Sequence, residues 1–142
     1  MKSALDAIAA GLAQGRLIPY LGPGMLGLCE PAGAVPDSPE ALAAFLGSKV
    51  TLPGRARGQL GPAAQYIESN KHRKTLAVLM GQAFAGAVTP SPLHRTLAAL
   101  PAVPLIVQLW YDDAMRAALA GREDAALIQG VSQAEQFGTW YE

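Results

Sequence analysis

Charge is what this chain has least of. Only 15% of its 142 residues are Asp, Glu, Lys or Arg, against roughly 25% in an average soluble domain. Eleven basic residues balance eleven acidic ones, so the formal net charge is zero. No Lys/Arg stripe with interleaved aromatics occurs, which argues against nucleic acid as a partner. The densest cationic run, Lys71-His72-Arg73-Lys74, falls at a helix start and reads as a solvated helix end. Cysteine is nearly absent: Cys29 stands alone, which excludes an internal disulfide and any Cys-rich zinc module built from this chain alone. No metal site is expected, and the composition suits a reducing, cytoplasmic setting. Long apolar runs are missing too. No stretch approaches 18 continuous apolar residues, and the first helix-periodic segment is broken by Asp6 and Gly11, so neither a signal peptide nor a membrane span is read.

What is present is apolar: 51% of the residues are hydrophobic. The length fits one domain over 1–142, large enough to bury roughly two-thirds of the surface of its unfolded chain. A thinly charged exterior leaves room for a covering partner, a second copy of the chain included.

Periodicity and punctuation place the elements. Ser3 and Asp6 resemble a capping box before Leu5, Ile8, Ala9 and Leu12, with Gly15 suited to end that helix. Residues 17–21 predict a short strand, although Pro19 lacks a ladder donor. The segment Pro31 to Pro39 predicts a loop. Ser38-Pro39 then predicts an N-cap and first helical position for a helix carrying Leu42, Phe45 and Leu46 to Gly47. After an irregular stretch over 48–61, Pro62 opens a helix through Tyr66 and Ile67. A further helix aligns Leu76, Leu79, Met80, Ala83 and Phe84. Ser91-Pro92 repeats the cap-plus-proline signal ahead of Leu93, Leu97 and Leu100, and Pro101 stops that helix. Leu105 to Leu109 is short, branched and apolar on both faces, as in a strand covered by helices on either side of a parallel sheet. Asp112 or Asp113 caps a helix with Met115, Ala118 and Leu119, ended by Gly121, and Ala126 to Val131 suggests a third strand. Phe137, Trp140 and Tyr141 close the chain, either docking onto another surface or belonging to a longer protein whose amino-terminal part this is.

The run Leu17 to Leu21 empties into Gly22-Pro23-Gly24-Met25, and the run Val103 to Leu109 ends in Trp110-Tyr111-Asp112-Asp113. In open α/β sheets ligands sit beyond the carboxyl ends of the strands, so two such tips predict a nucleotide pocket. Glycines permit close backbone approach and a helix start offers N-H groups to phosphate, yet a structural tight turn explains Gly-Pro-Gly about as well. An Asp just before a helix is more commonly its N-cap than a ribose ligand, and His94 beside Pro92 reads as structural.

The order of these elements, with Gly22-Pro23-Gly24-Met25, Pro92-Leu93-His94 and Gln108-Leu109-Trp110-Tyr111-Asp112-Asp113, resembles the amino-terminal part of SIR2-like domains from Leu5 to about Leu119. That family has Gly-Ala-Gly-x-Ser at the first turn and Thr-x-Asn-Tyr-Asp-Asp at the second. The resemblance implies an α/β, Rossmann-like three-layer domain with a parallel sheet that handles NAD. It also implies a cofactor-binding set of Gly22, Pro23, Gly24, Met25, Gln108, Trp110 and Asp112. The serine is missing, Trp110 replaces the asparagine, and neither His72 nor His94 lies where the family's general base does. A catalytically degenerate domain follows, with no catalytic residues of its own, serving nucleotide binding or protein association, with NAD or ADP-ribose as the implied ligand. The alternative is an active NAD hydrolase whose base comes from another segment or subunit. Segments 63–75 and 129–138 also resemble a SIR2-like branch encoded beside bacterial nitrogen-fixation genes, which implies a role accessory to nitrogenase or its cofactor assembly, with a nitrogenase-related protein as partner. Cys29 would then be a conceivable cluster contact.

Overall fold

A computed structural model describes residues 2–129. The described chain is mostly helical, with α1 (Lys2–Ala13), α2 (Pro39–Lys49), α3 (Leu60–Lys71), α4 (Arg73–Ala83), α5 (Pro92–Ala99) and α6 (Ala114–Leu119). Two 3-10 turns, Pro23–Leu28 and Gly54–Ala56, interrupt the connections. The sheet is a single parallel pair, β1 (Tyr20–Leu21) against β2 (Val107–Gln108), with Tyr20 opposite Val107 and Leu21 opposite Gln108.

Local chemistry sets the helix ends. Ser38 Oγ accepts from the Ala41 amide at 3.1 Å and Pro39 occupies the first helical position of α2, as the sequence predicts. Ser91 caps α5 in the same way. Gly15 ends α1 with φ at 67°, in the left-handed region where glycine carries no penalty. The expected Ser3 capping box is not formed, because α1 already begins at Lys2 and places Ser3 inside the helix.

Packing divides the apolar residues into three clusters. Helices α2, α3 and α4 bury Leu46, Leu52, Ala56, Ala63, Ile67 and Leu79 against one another. Leu21 of β1 packs with Leu97 and Ala98 of α5 and Met115 of α6, and Leu12 of α1 joins from its edge. Leu26, Cys29, Val35 and Ala114 form a third group, flanked by Phe84, Val88 and Trp110.

The three-layer Rossmann-like sheet expected from the sequence is not what forms. Prolines shorten both strands: Pro19 offers only its carbonyl to the ladder and Pro104 precedes β2, so the expected strands over 17–21 and 105–109 reduce to two residues each. Residues 126–129 contain no strand, and the remainder of the expected third strand, with Phe137, Trp140 and Tyr141, lies outside the described residues. The helices between the strands satisfy their apolar faces among themselves, so no wide sheet is needed beneath them. Among the described residues no helix is long and apolar enough to cross a membrane.

A Cβ at Gly15 would collide with the Ala102 carbonyl oxygen in the turn ahead of β2. Gly15→Ala combines that clash with a left-handed backbone, costing about 1–2 kcal/mol from the conformation alone. Chemical denaturation should show a lower midpoint with an unchanged slope.

Candidate functional site

The parallel register fixes where the two glycine- and acid-bearing segments meet. Val107 N donates to the Pro19 carbonyl at 2.9 Å and Leu109 N to the Leu21 carbonyl at 2.8 Å, so both strands end together. Gly22 and Trp110 each lie one residue past the last of these bonds, at the same end of the pair.

The two tips then diverge. Gly22 has φ −92° and ψ 179°, and the chain turns directly into the 3-10 segment with Met25 N donating to the Gly22 carbonyl at 3.2 Å. A Cβ at Gly22 or Gly24 would meet nothing within 4 Å. The folded chain therefore does not itself require glycine at either position. Met25 packs beside Leu21 and Met115, which makes its side chain part of the core.

The second tip is tightly organised. Gln108 Nε2 donates to the Asp112 carbonyl at 2.7 Å, closing the loop from β2 to α6. Trp110 Nε1 donates to the Pro36 carbonyl at 2.8 Å, tying that loop to the segment ahead of α2. The indole meets Phe84 edge-on, with centroids 5.9 Å apart at 79°, and Tyr111 at 5.2 Å. Where the resemblance places an asparagine amide, this chain has an apolar wedge whose only donor is engaged. Asp112 Oδ1 accepts from the Ala114 amide at 2.9 Å and opens α6, whereas Asp113, nominally the N-cap, makes no side-chain bond to the helix.

A cleft of about 230 Å³ lies beside this tip, lined by Val35, Phe84, Gly86, Val88, Asp112 and Asp113 among others. Of the seven residues implied as cofactor-binding, Asp112 alone lines it. Trp110 backs it through Phe84, Gln108 holds its loop, and Gly22, Pro23, Gly24 and Met25 lie outside its walls. The segment 84–88 was not anticipated from sequence. Its one visible signal is Gly86 between two alanines, where a Cβ would strike the Ala34 carbonyl oxygen.

Within the electrostatic reach of Asp112 sits a buried polar group. His94 and Ser91 are each 2% exposed and Cys29 3%. His94 Nδ1 accepts from the Ser91 amide at 3.2 Å and lies 2.7 Å from Ser91 Oγ, while Ser91 Oγ accepts from the His94 amide at 3.2 Å. Histidine thus fills the third helical position of a capping box that usually holds Glu or Gln. Cys29 Sγ stands 3.8 Å from the same nitrogen. Burial pushes the His94 pKa below its ordinary value of 6.5, and the negative charge of Asp112 works in the opposite sense. With Nδ1 committed as acceptor, His94 serves structure, as read from the sequence. Among the described residues no three His, Cys, Asp or Glu side chains gather as a metal site.

No protein-family model matches the chain, and no curated protein or solved structure is significantly similar to it.

Because the folded state lowers the His94 pKa, the unfolded chain binds the extra proton more readily. Stability from this group is complete above the unfolded value of 6.5 and is lost as pH falls through the lower, folded value. Acidification from neutrality should lower the unfolding free energy. Proton NMR should show the His94 ring titrating below its ordinary value, and a ring titrating at or above that value would contradict the capping role.

Proposed function

We propose that this chain is a binding domain related to the SIR2-like family in its motifs but not in its sheet. Its ligand is a nucleotide of the NAD or ADP-ribose class, held at the shared end of β1 and β2. The observation that supports this reading is the register: both strands end together, with Gly22 and Trp110 each one residue past the last ladder bond before the two tips diverge. Glycines at 22 and 24 are compatible with it, since an approaching phosphate would need the bare backbone and the folded chain does not crowd them. The Asp112 carboxylate at the cleft is the group to accept a ribose hydroxyl.

Binding without turnover is favoured by what surrounds that end. Trp110 occupies the position of the family's asparagine with its indole N-H engaged, and His94 is buried with Nδ1 as a helix cap. Neither is free to activate a water. A second reading, association with a nitrogenase-related protein, rests on the likeness of segments 63–75 and 129–138. The exposed apolar side chains Leu5, Ile8 and Leu127 favour some protein contact.

Thermal shift with ADP-ribose, NAD and ATP tests the first reading. A ligand at a hundredfold its dissociation constant should add about 2.7 kcal/mol to stability. Asp112→Asn keeps an acceptor for the Ala114 amide and removes the charge, so binding should weaken about tenfold, close to 1.4 kcal/mol. Nicotinamide release from NAD would instead establish the hydrolase alternative. No shift with any of the three, alongside retention of nitrogenase components on the immobilised protein, would leave the association reading in its place.

A further inference from the structure

A hollow opens between α2 and the connection that leads to α3. Its volume is about 330 Å³, within the roughly 300–1,000 Å³ usual for small-molecule sites. Helix α2 contributes Ala43, Ala44 and Gly47, and the connection contributes Leu52. Ala43 and Leu52 are buried, so this part of the wall is apolar.

Arg57 is the one charged residue of the lining. Its Nε donates to the Leu52 carbonyl at 3.0 Å, which ties the guanidinium to the backbone of the same connection. That bond occupies the edge of the fork that includes Nε and leaves the two Nη groups to make further bonds. Among the described residues no Asp or Glu pairs with them. Thr51 and Gly58 also line the hollow. The Thr51 hydroxyl and the amides of both residues have no hydrogen-bond partner among the described residues. Donors thus gather around an anchored cation at the mouth of an apolar recess.

We propose that this hollow binds a small monocarboxylate with a short aliphatic arm. Its carboxylate pairs end-on with the Arg57 Nη groups, the planar match that a guanidinium offers, and its arm lies against Ala43, Ala44 and Leu52. One fixed cation suits one negative charge. A phosphate group carries closer to two at neutral pH and would meet no second cation in the lining. The site shares no residue with the strand tips or with the cleft at Asp112, so it stands apart from the nucleotide reading.

Hexanoate titrated into the isotope-labelled protein and followed by NMR is the test. Saturable shifts should appear at the Thr51 and Gly58 amides and at the Arg57 side-chain N-H signals. Hexanol, of the same length without the charge, and inorganic phosphate should each bind at least about tenfold more weakly. Arg57→Gln should weaken hexanoate by a similar factor with helical circular dichroism unchanged, since the side chain is exposed. Should that variant misfold, Ala44→Leu, at an exposed position of α2, fills the hollow and should abolish the shifts. Absence of saturable shifts in the unmodified protein overturns the proposal. Hexanol or phosphate binding as tightly as hexanoate overturns it too, as does an affinity that neither substitution changes.

Discussion

Two backbone hydrogen bonds, from Val107 to Pro19 and from Leu109 to Leu21, decide the geometry of this protein. Their partners are 88 residues apart in sequence, so the pair closes a loop that contains four α-helices and both 3-10 turns, from Pro23 to Ala99. A two-stranded pair is too short to hold itself together by hydrogen bonding. It is held from one side by Leu21 and Ile106 against α5 and α6, and by Leu12 reaching in from α1. The Gly15 turn against Ala102 joins the same end of the molecule from outside the pair. Everything at the strand tips inherits its position from these contacts.

Organisation around the cleft follows from polar groups that had to be satisfied once buried. Among the described residues no buried side-chain nitrogen or oxygen lacks a partner. The Trp110 indole reaches Pro36, the Gln108 amide reaches across its own loop, and His94 turns back onto Ser91. Each bond ties a connecting segment to a helix or strand, which is how a chain with long irregular stretches gains defined loops. An unpaired donor at any of these places would cost about 1–3 kcal/mol, more than most single apolar contacts contribute.

The helices were legible because their signals are local. Ser38 and Ser91 each stand before a proline and then an apolar repeat, and a cap needs only its next three residues to act. Asp112 was legible as a cap for the same reason. The sheet was not. Leu17 to Leu21 and Leu105 to Leu109 have the composition of buried strands, but how many strands join them depends on partners far away in sequence. Pro19 was the available warning: it allows a ladder bond through its carbonyl alone, so the strand continues for only two residues past it. The cleft was half legible, through Asp112. Its other wall comes from segment 84–88, whose small residues carry no chemical signature and matter only through the space they leave against Ala34.

Glycine at 22 and 24 is not demanded by the space around it. Gly15 and Gly86 are each pressed against a carbonyl, and any side chain there would displace backbone. Gly22 and Gly24 meet no such obstacle, and Gly22 adopts an extended conformation open to every residue type. A glycine in a position where alanine would fit lowers stability by about 0.5–1 kcal/mol through the freedom of the unfolded chain. Stability alone would therefore not favour glycine at these two positions. Gly27, Gly54 and Gly81 are equally uncrowded, so open space around a glycine is common in this fold and does not by itself mark a ligand contact. Of the two strand tips, the one that resembles the SIR2-like glycine turn is the one where the fold leaves the backbone uncrowded.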